Sequence, residues 1–70
     1  MADLVHINGQ KLRIYRKSRG FTQQTLADRA GVSRSFVAEI ERGAKLPRVP
    51  VARSLASVLA VELNLLTVSS

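Results

Sequence analysis

Residues 22–43 carry two short helical patterns with one glycine between them, and this arrangement constrains the fold more than any other feature of the chain. Apolar residues recur at helical spacing in both patterns: Leu26, Ala27 and Ala30, then Val37 and Ile40. Gly31 stands at the join, where a tight turn favours a residue that can adopt a positive φ. Two helices of this length joined by such a turn predict a helix-turn-helix.

The other helices are predicted from caps, stop signals and apolar spacing. Gly20 and Gly43 are typical of helix ends, where the chain takes a left-handed conformation, and the hydroxyls of Thr22 and Ser33 suit N-caps. Two prolines three residues apart place 44–50 in a loop. The predicted helices are 8–18, 22–30, 33–42, 50–59 and 63–66. We therefore expect an all-α, compact five-helix bundle.

The length of the chain allows one domain. Its 70 residues predict a single unit, 1–70, with a core over 8–66 and tails at 1–7 and 67–70. Cysteine is absent, which excludes a disulfide framework and a thiolate metal site within this sequence. His6 has no second His, Cys or acidic neighbour at ligand spacing, so we expect no metal and no cofactor.

The charge balance predicts a polyanionic partner. Eleven Lys and Arg residues stand against five acids, a net charge of +6. An anionic membrane surface is the rival of nucleic acid, but the charge is not collected in one run or stripe, and aromatic platforms for stacked RNA bases are missing. The N-terminus does not resemble a signal peptide, and the C-terminal apolar stretch is too short to span a bilayer. We expect a cytoplasmic protein that does not bind membranes.

An ordered set of motifs at fixed spacing makes the prediction more specific: Leu12-x-x-x-Arg16, Gly20-Phe21-Thr22-Gln23-x-x-Leu26-Ala27, Gly31-Val32-Ser33-Arg34-Ser35-Phe36-Val37, Ile40-Glu41-Arg42-Gly43 and Pro47. Over residues 10–66 this set resembles the Cro and phage-repressor type of helix-turn-helix, the XRE family. The resemblance implies a lambda-repressor-like DNA-binding domain of five helices. It also implies a transcriptional repressor that binds DNA as a two-fold dimer.

Base contacts are expected on the outward face of helix 33–42, near its start. An Arg there can hold guanine O6 and N7 with two hydrogen bonds, and a Ser hydroxyl can serve donor or acceptor edges. Glu39 is repelled by phosphate, so it reads a cytosine amino group, pairs with Arg42 or Arg34, or lies away from DNA. Phe36 contacts a thymine methyl or a sugar, or is half buried in the core. The candidate base-contacting residues are Arg34, Ser35, Phe36 and Glu39, and the alternative for Arg34 is a solvated surface charge.

Phosphate contacts are expected at the start of the second helix and after the third. The amide of Gln23 and the helix N-terminal N–H groups suit a phosphate oxygen, and the resemblance implies that Gln23 also braces Arg34. Lys45 and Arg48 suit phosphate or minor-groove contacts, with solvated charges as the alternative. The candidate backbone-contacting residues are Thr22, Gln23, Ser33, Arg42, Lys45 and Arg48.

A structural ion pair is predicted between Arg16 and Glu41. Glu41 falls on the inner face of the third helix, where a charge must be paired. The resemblance places Arg16 on the opposing first helix. The pair would orient the third helix against the first.

Surplus apolar residues near the C-terminus predict a homodimer. Exposed apolar patches on small proteins usually mark partner surfaces, and a packed monomer with a frayed tail is the alternative. The candidate interface residues are Val58, Leu63, Leu65, Leu66 and Val68. Ala60 and Glu62 stand where the family usually has a Gly and a Ser or Thr cap. From this departure we expect the last two helices to run together or the break between them to move.

The resulting functional prediction is a sequence-specific regulator of transcription, a repressor, that inserts helix 33–42 into the major groove at an inverted-repeat operator. The alternative is an antitoxin or a protein-interaction adaptor with the same fold, whose partner is a toxin or an antirepressor. Glu39 is the only sequence feature in favour of this alternative. The sequence shows no catalytic triad, paired carboxylates or Gly-rich phosphate loop, so we do not expect an enzyme.

Overall fold

The computed structural model describes residues 3–68, which form four α-helices and one 3-10 turn. The helices are α1 Gly9–Ser18, α2 Gln23–Ala30, α3 Arg34–Arg42 and α4 Val49–Leu59, and the 3-10 turn is Leu63–Leu65. The all-α prediction is therefore confirmed, but the count of five helices is not, because the fifth predicted segment is a single 3-10 turn. After the 3-10 turn the chain becomes extended, and Leu66 O accepts a hydrogen bond from Asn8 N at 2.7 Å instead of continuing a helix.

The caps predicted from the sequence are present at the helix ends. Thr22 Oγ1 accepts from Thr25 N at 3.0 Å, and Ser33 Oγ accepts from Phe36 N at 3.1 Å. Gly31 ends α2 with φ 75°. Helix α4 begins slightly earlier than predicted, at Val49, because proline is tolerated in a first helical turn, where its missing N–H has no intrahelical partner.

Ala60 ends α4 in the left-handed conformation, with φ 58°. The expectation that the break would disappear or move is wrong. Val61 N still donates to Ala56 O at 3.0 Å, which closes the helix as a glycine at this position would allow. A left-handed backbone costs an L-residue about 1–2 kcal/mol, so the surrounding contacts offset this strain.

The core is aliphatic, and all four helices contribute to it. Helix α2 packs against α3 and α4, and α1 packs against α3. The buried apolar residues are Ile7, Leu12, Leu26, Ala27, Val37, Ile40, Ala52, Leu55, Ala56, Leu59 and Leu66. Within residues 3–68, no helix has the length and apolar character needed to cross a membrane.

The described parts of the segments predicted as tails are hydrogen-bonded to each other and to the rest of the fold. Ile7 is 4% exposed and belongs to the core. Residues 3–7 run beside two other segments, forming antiparallel bridges from Leu4 to Arg48 and from Ile7 to Thr67. Residues 1–2 and 69–70 of the predicted tails lie outside the described residues. Backbone pairing between such distant segments leaves no local signal in the sequence, so these contacts could not be predicted from it.

Helix α1 approaches the C-terminal end of α3 at Gly9. A Cβ at this position would lie 2.6 Å from the carbonyl oxygen of Ile40 and would also overlap that of Glu41. Only a residue without a side chain allows this approach. Gly9 thus fixes the distance between α1 and the end of the third helix.

Candidate nucleic-acid interface

Helix α3 packs its apolar inner face into the core, and this leaves its polar outer face exposed. Val37 and Ile40 have no solvent exposure, whereas Arg34 and Ser35 are exposed at the first turn. The Ser33 cap uses the hydroxyl oxygen as an acceptor and leaves its O–H free to donate. The start of α3 therefore projects polar side chains from a rigidly anchored helix, the geometry that base-edge recognition needs.

A continuous chain of hydrogen bonds joins the interior to Arg34. Glu41 Oε1 accepts from Gln23 Nε2 at 3.1 Å. The oxygen of the same amide, Gln23 Oε1, accepts from Arg34 Nη1 at 3.4 Å. Because the amide nitrogen is held by Glu41, its oxygen faces Arg34 and favours one direction of the guanidinium. The brace that the sequence resemblance implies between Gln23 and Arg34 is present.

The predicted pair of Arg16 and Glu41 anchors this chain. Arg16 Nε donates to Glu41 Oε2 at 2.6 Å, and the two side chains are only 8% and 5% exposed. A second guanidinium nitrogen donates to Glu41 Oε1 at 3.2 Å, and Nη1 donates to the carbonyl of Phe21 at 2.8 Å. Two-point contact of this kind fixes both side chains, and through them it ties α1 to α3 and to the start of α2.

Glu39 forms an ion pair with Lys45 at 3.5 Å. Neither of the two predicted pairings, with Arg42 or with Arg34, is present. The reason is local: the chain turns back after Gly43, and the backbone N–H groups of residues 44 and 45 both donate to Glu39 O, which brings the Lys45 ammonium over the carboxylate. The pair is solvent-exposed, so its contribution to stability is small, about 0–1 kcal/mol.

The remaining candidates differ in accessibility. Phe36 is partly buried and packs against the core, which limits what it can offer to DNA. Arg42 is exposed at the end of α3, while Arg48 is exposed as the N-cap residue of α4. Thr22 is also exposed, although its hydroxyl is engaged in the α2 cap.

A basic groove of about 600 Å³, here named the α1–α2 groove, opens between α1 and the start of α2. Its lining includes Arg13 and Lys17, two residues not singled out in the sequence. Their four-residue spacing places both on one face of α1, and from this spacing the sequence could have predicted a shared basic surface. Arg34 lies on the same groove.

The candidate dimer residues fall into three groups by exposure. Leu65 and Val68 are 43% and 51% exposed, whereas Val58 and Leu63 are partly buried against the core. Leu66 has no exposure, so its assignment to an interface is wrong: its side chain fills the core below the 3-10 turn. Among residues 3–68, no cluster of His and acidic side chains could hold a metal, and His6 is exposed.

Comparison with known proteins places the chain in a family. The HTH_3 helix-turn-helix model matches residues 12–66. The chain belongs to the HTH_3 family. Among curated relatives, YazB of Bacillus subtilis, an uncharacterized HTH-type transcriptional regulator, is 40% identical over 53 residues, which cover 76% of this chain and 77% of YazB. The immunity repressor of Bacillus phage phi105 is 36% identical over 56 residues, which cover 80% of this chain but 39% of that repressor.

Solved structures of HTH_3-like proteins match the fold closely. The restriction-modification controller protein C.AhdI of Aeromonas hydrophila superimposes with a TM-score of 0.78 at 37% identity, covering 81% of this chain and 86% of that one. SinR, a master regulator for biofilm formation, solved in complex with DNA, gives a TM-score of 0.76 at 33% identity, with 80% and 90% covered. SinR of Bacillus subtilis has also been solved in complex with the protein SinI. The sequence prediction of the family is therefore confirmed.

Proposed function

We propose that this HTH_3 protein is a non-catalytic, sequence-specific regulator of transcription that inserts α3 into the major groove of double-stranded DNA. The observation that carries the proposal is the braced Arg34. It is exposed at the first turn of α3 and held by Gln23, whose amide is oriented by the buried Glu41. A pre-oriented guanidinium suits two-point recognition of guanine, which discriminates against other bases by about 1–3 kcal/mol.

The polar side chains around Arg34 support the same mode of docking. Ser35 lies beside it at the start of α3, and Thr22 lies at the start of α2. Arg42 is exposed in the last turn of α3 and Arg48 is exposed as the N-cap of α4, so both are available to phosphates. We assign no base contact to Glu39, because its carboxylate faces the Lys45 ammonium at 3.5 Å.

A repressor acting as a homodimer is the finer form of the proposal. The phage phi105 immunity repressor supports the repressor role. Leu65 and Val68 are both exposed apolar residues near the C-terminus, and such residues suit contact with a second copy. A two-fold dimer would present two copies of α3 about 34 Å apart, which matches half-sites separated by one turn of DNA in an inverted repeat.

The test is selection of the purified protein against a random duplex-DNA library at near-physiological salt. Recovery of an inverted repeat with half-site centres about one helical turn apart is the expected result. Arg34→Ala should lose the preference for the selected duplex and keep its fold. Arg53→Ala, which removes one exposed charge from α4, is the matched control and should keep the preference. Failure to recover any motif, with binding that disappears as salt rises, would refute sequence-specific recognition.

A protein partner is the second candidate, favoured by the complex of the similar SinR with SinI. In an adaptor or antitoxin that no longer needs DNA, Arg34→Ala and Gln23→Ala would leave function intact. The same two variants therefore separate the two proposals. The sequence argument for the adaptor is weakened, because Glu39 has a partner within the chain.

A further inference from the structure

The α1–α2 groove contains two cations of α1 in addition to Arg34, the base-contacting candidate on α3. Arg13, Lys17 and Arg34 line it, and no Asp or Glu lies among its lining residues. Arg16 also lines the groove, but Glu41 already balances its charge. The groove thus presents three cations without an acidic counterpart, and their mutual repulsion favours an anionic ligand.

Arg13 and Lys17 are unengaged within the chain. Both side chains are exposed, and neither forms an ion pair or a side-chain hydrogen bond within residues 3–68. Lys45, by contrast, is paired with Glu39 at 3.5 Å. No packing or pairing role therefore accounts for the two α1 cations, and they are available to a partner.

We infer that the α1–α2 groove binds the phosphate backbone of the DNA strand that passes Arg34, an inference that rests on the proposed function. Arg34 lines the groove, so a strand whose base edge meets Arg34 continues over it. On α1 the four-residue spacing sets the Cβ atoms of Arg13 and Lys17 about 5–6 Å apart. Phosphates recur at regular intervals along a DNA strand, and the long Arg and Lys side chains can each reach one from this spacing, so we expect the two cations to contact two phosphates of the same strand. The DNA footprint therefore extends from α3 onto α1.

The salt dependence of binding tests this inference. Arg13→Ala, Lys17→Ala and the double variant are compared by fluorescence anisotropy across a salt titration, on a selected duplex and on a random duplex of equal length. Each lost phosphate contact lowers the slope of log affinity against log salt by about 0.9, so the double variant should lose about 1.8. Both duplexes should lose affinity by the same factor, because phosphates carry no sequence information.

Arg53→Ala is the matched control, since it removes an exposed charge outside the groove and should leave the slope unchanged. Groove variants with the slope of this control would overturn the inference. An equal fall of the salt slope in Arg13→Ala, Lys17→Ala and Arg53→Ala would also overturn the inference, because the loss of net charge would then account for the effect. Arg34→Ala separates this inference from the proposed function: if it keeps its preference for the selected duplex, the proposed function fails whatever the groove variants do.

Discussion

Replacing Gly9 by alanine should destabilise the protein, against the usual effect of this change in a helix. Alanine in place of glycine normally stabilises a helix interior by about 0.8–1.0 kcal/mol. Here the added Cβ would lie 2.6 Å from the carbonyl oxygen of Ile40 and overlap that of Glu41. Both obstacles are backbone atoms, so no side chain can rotate away and α1 or the end of α3 must move.

The size of the effect follows from these opposing terms. Overpacking of a close contact costs about 1–3 kcal/mol, and the propensity gain is small at the first position of a helix. We expect a net loss of about 1–2 kcal/mol in the free energy of unfolding. For a domain of this size the loss corresponds to a fall of about 5–15 °C in Tm.

Urea and thermal unfolding followed by circular dichroism measure the change. Gln10→Ala is the control, because Gln10 is the exposed neighbour of Gly9 in the same helical turn and should change stability by less than about 0.5 kcal/mol. A Gly9→Ala protein as stable as the parent, or more stable, would refute the argument. It would mean that α1 does not approach the end of α3 as closely as the structure shows.

Three further changes should have measurable effects on unfolding. Glu41→Ala should lower the free energy of unfolding by about 3–5 kcal/mol, because it leaves the Arg16 guanidinium buried without its carboxylate. Urea unfolding should show that the double variant Arg16→Met/Glu41→Leu recovers most of this loss. A Glu41→Ala protein of unchanged stability would contradict the pairing. Ala60→Gly should raise stability by up to about 1 kcal/mol by relieving the left-handed backbone at φ 58°, whereas a lower Tm would contradict that strain. Leu66→Ala should cost about 2–5 kcal/mol and Leu65→Ala far less, since only Leu66 is fully buried; equal losses in chemical unfolding would reject the assignment of Leu66 to the core.

The helix-turn-helix could be predicted from the sequence because its signals are local. A cap hydroxyl such as Thr22 acts on an amide three residues away, and Gly31 acts on its own backbone. The recognition face could be predicted in the same way, since the apolar residues of α3 determine which side remains outside. For the long-range pair, a charge on the inner face of α3 indicated that Glu41 needs a partner, but only the family resemblance implied that this partner is Arg16.

Other features were decided only by the tertiary structure, because they depend on contacts between distant segments. Residues 3–8 form backbone hydrogen bonds with residues 47–49 and 66–68, and no local sequence pattern predicts these bonds. Ala60 takes a conformation that its own preference opposes. Beside it, the carbonyl of Leu59 accepts a hydrogen bond from Arg19 Nε of another segment at 2.8 Å. The α1–α2 groove joins Arg13 and Lys17 to Arg34 on another helix. Local chemistry along the chain therefore determined the helices and the exposed face of α3, whereas packing between distant segments determined how the ends are held and how far the basic surface extends.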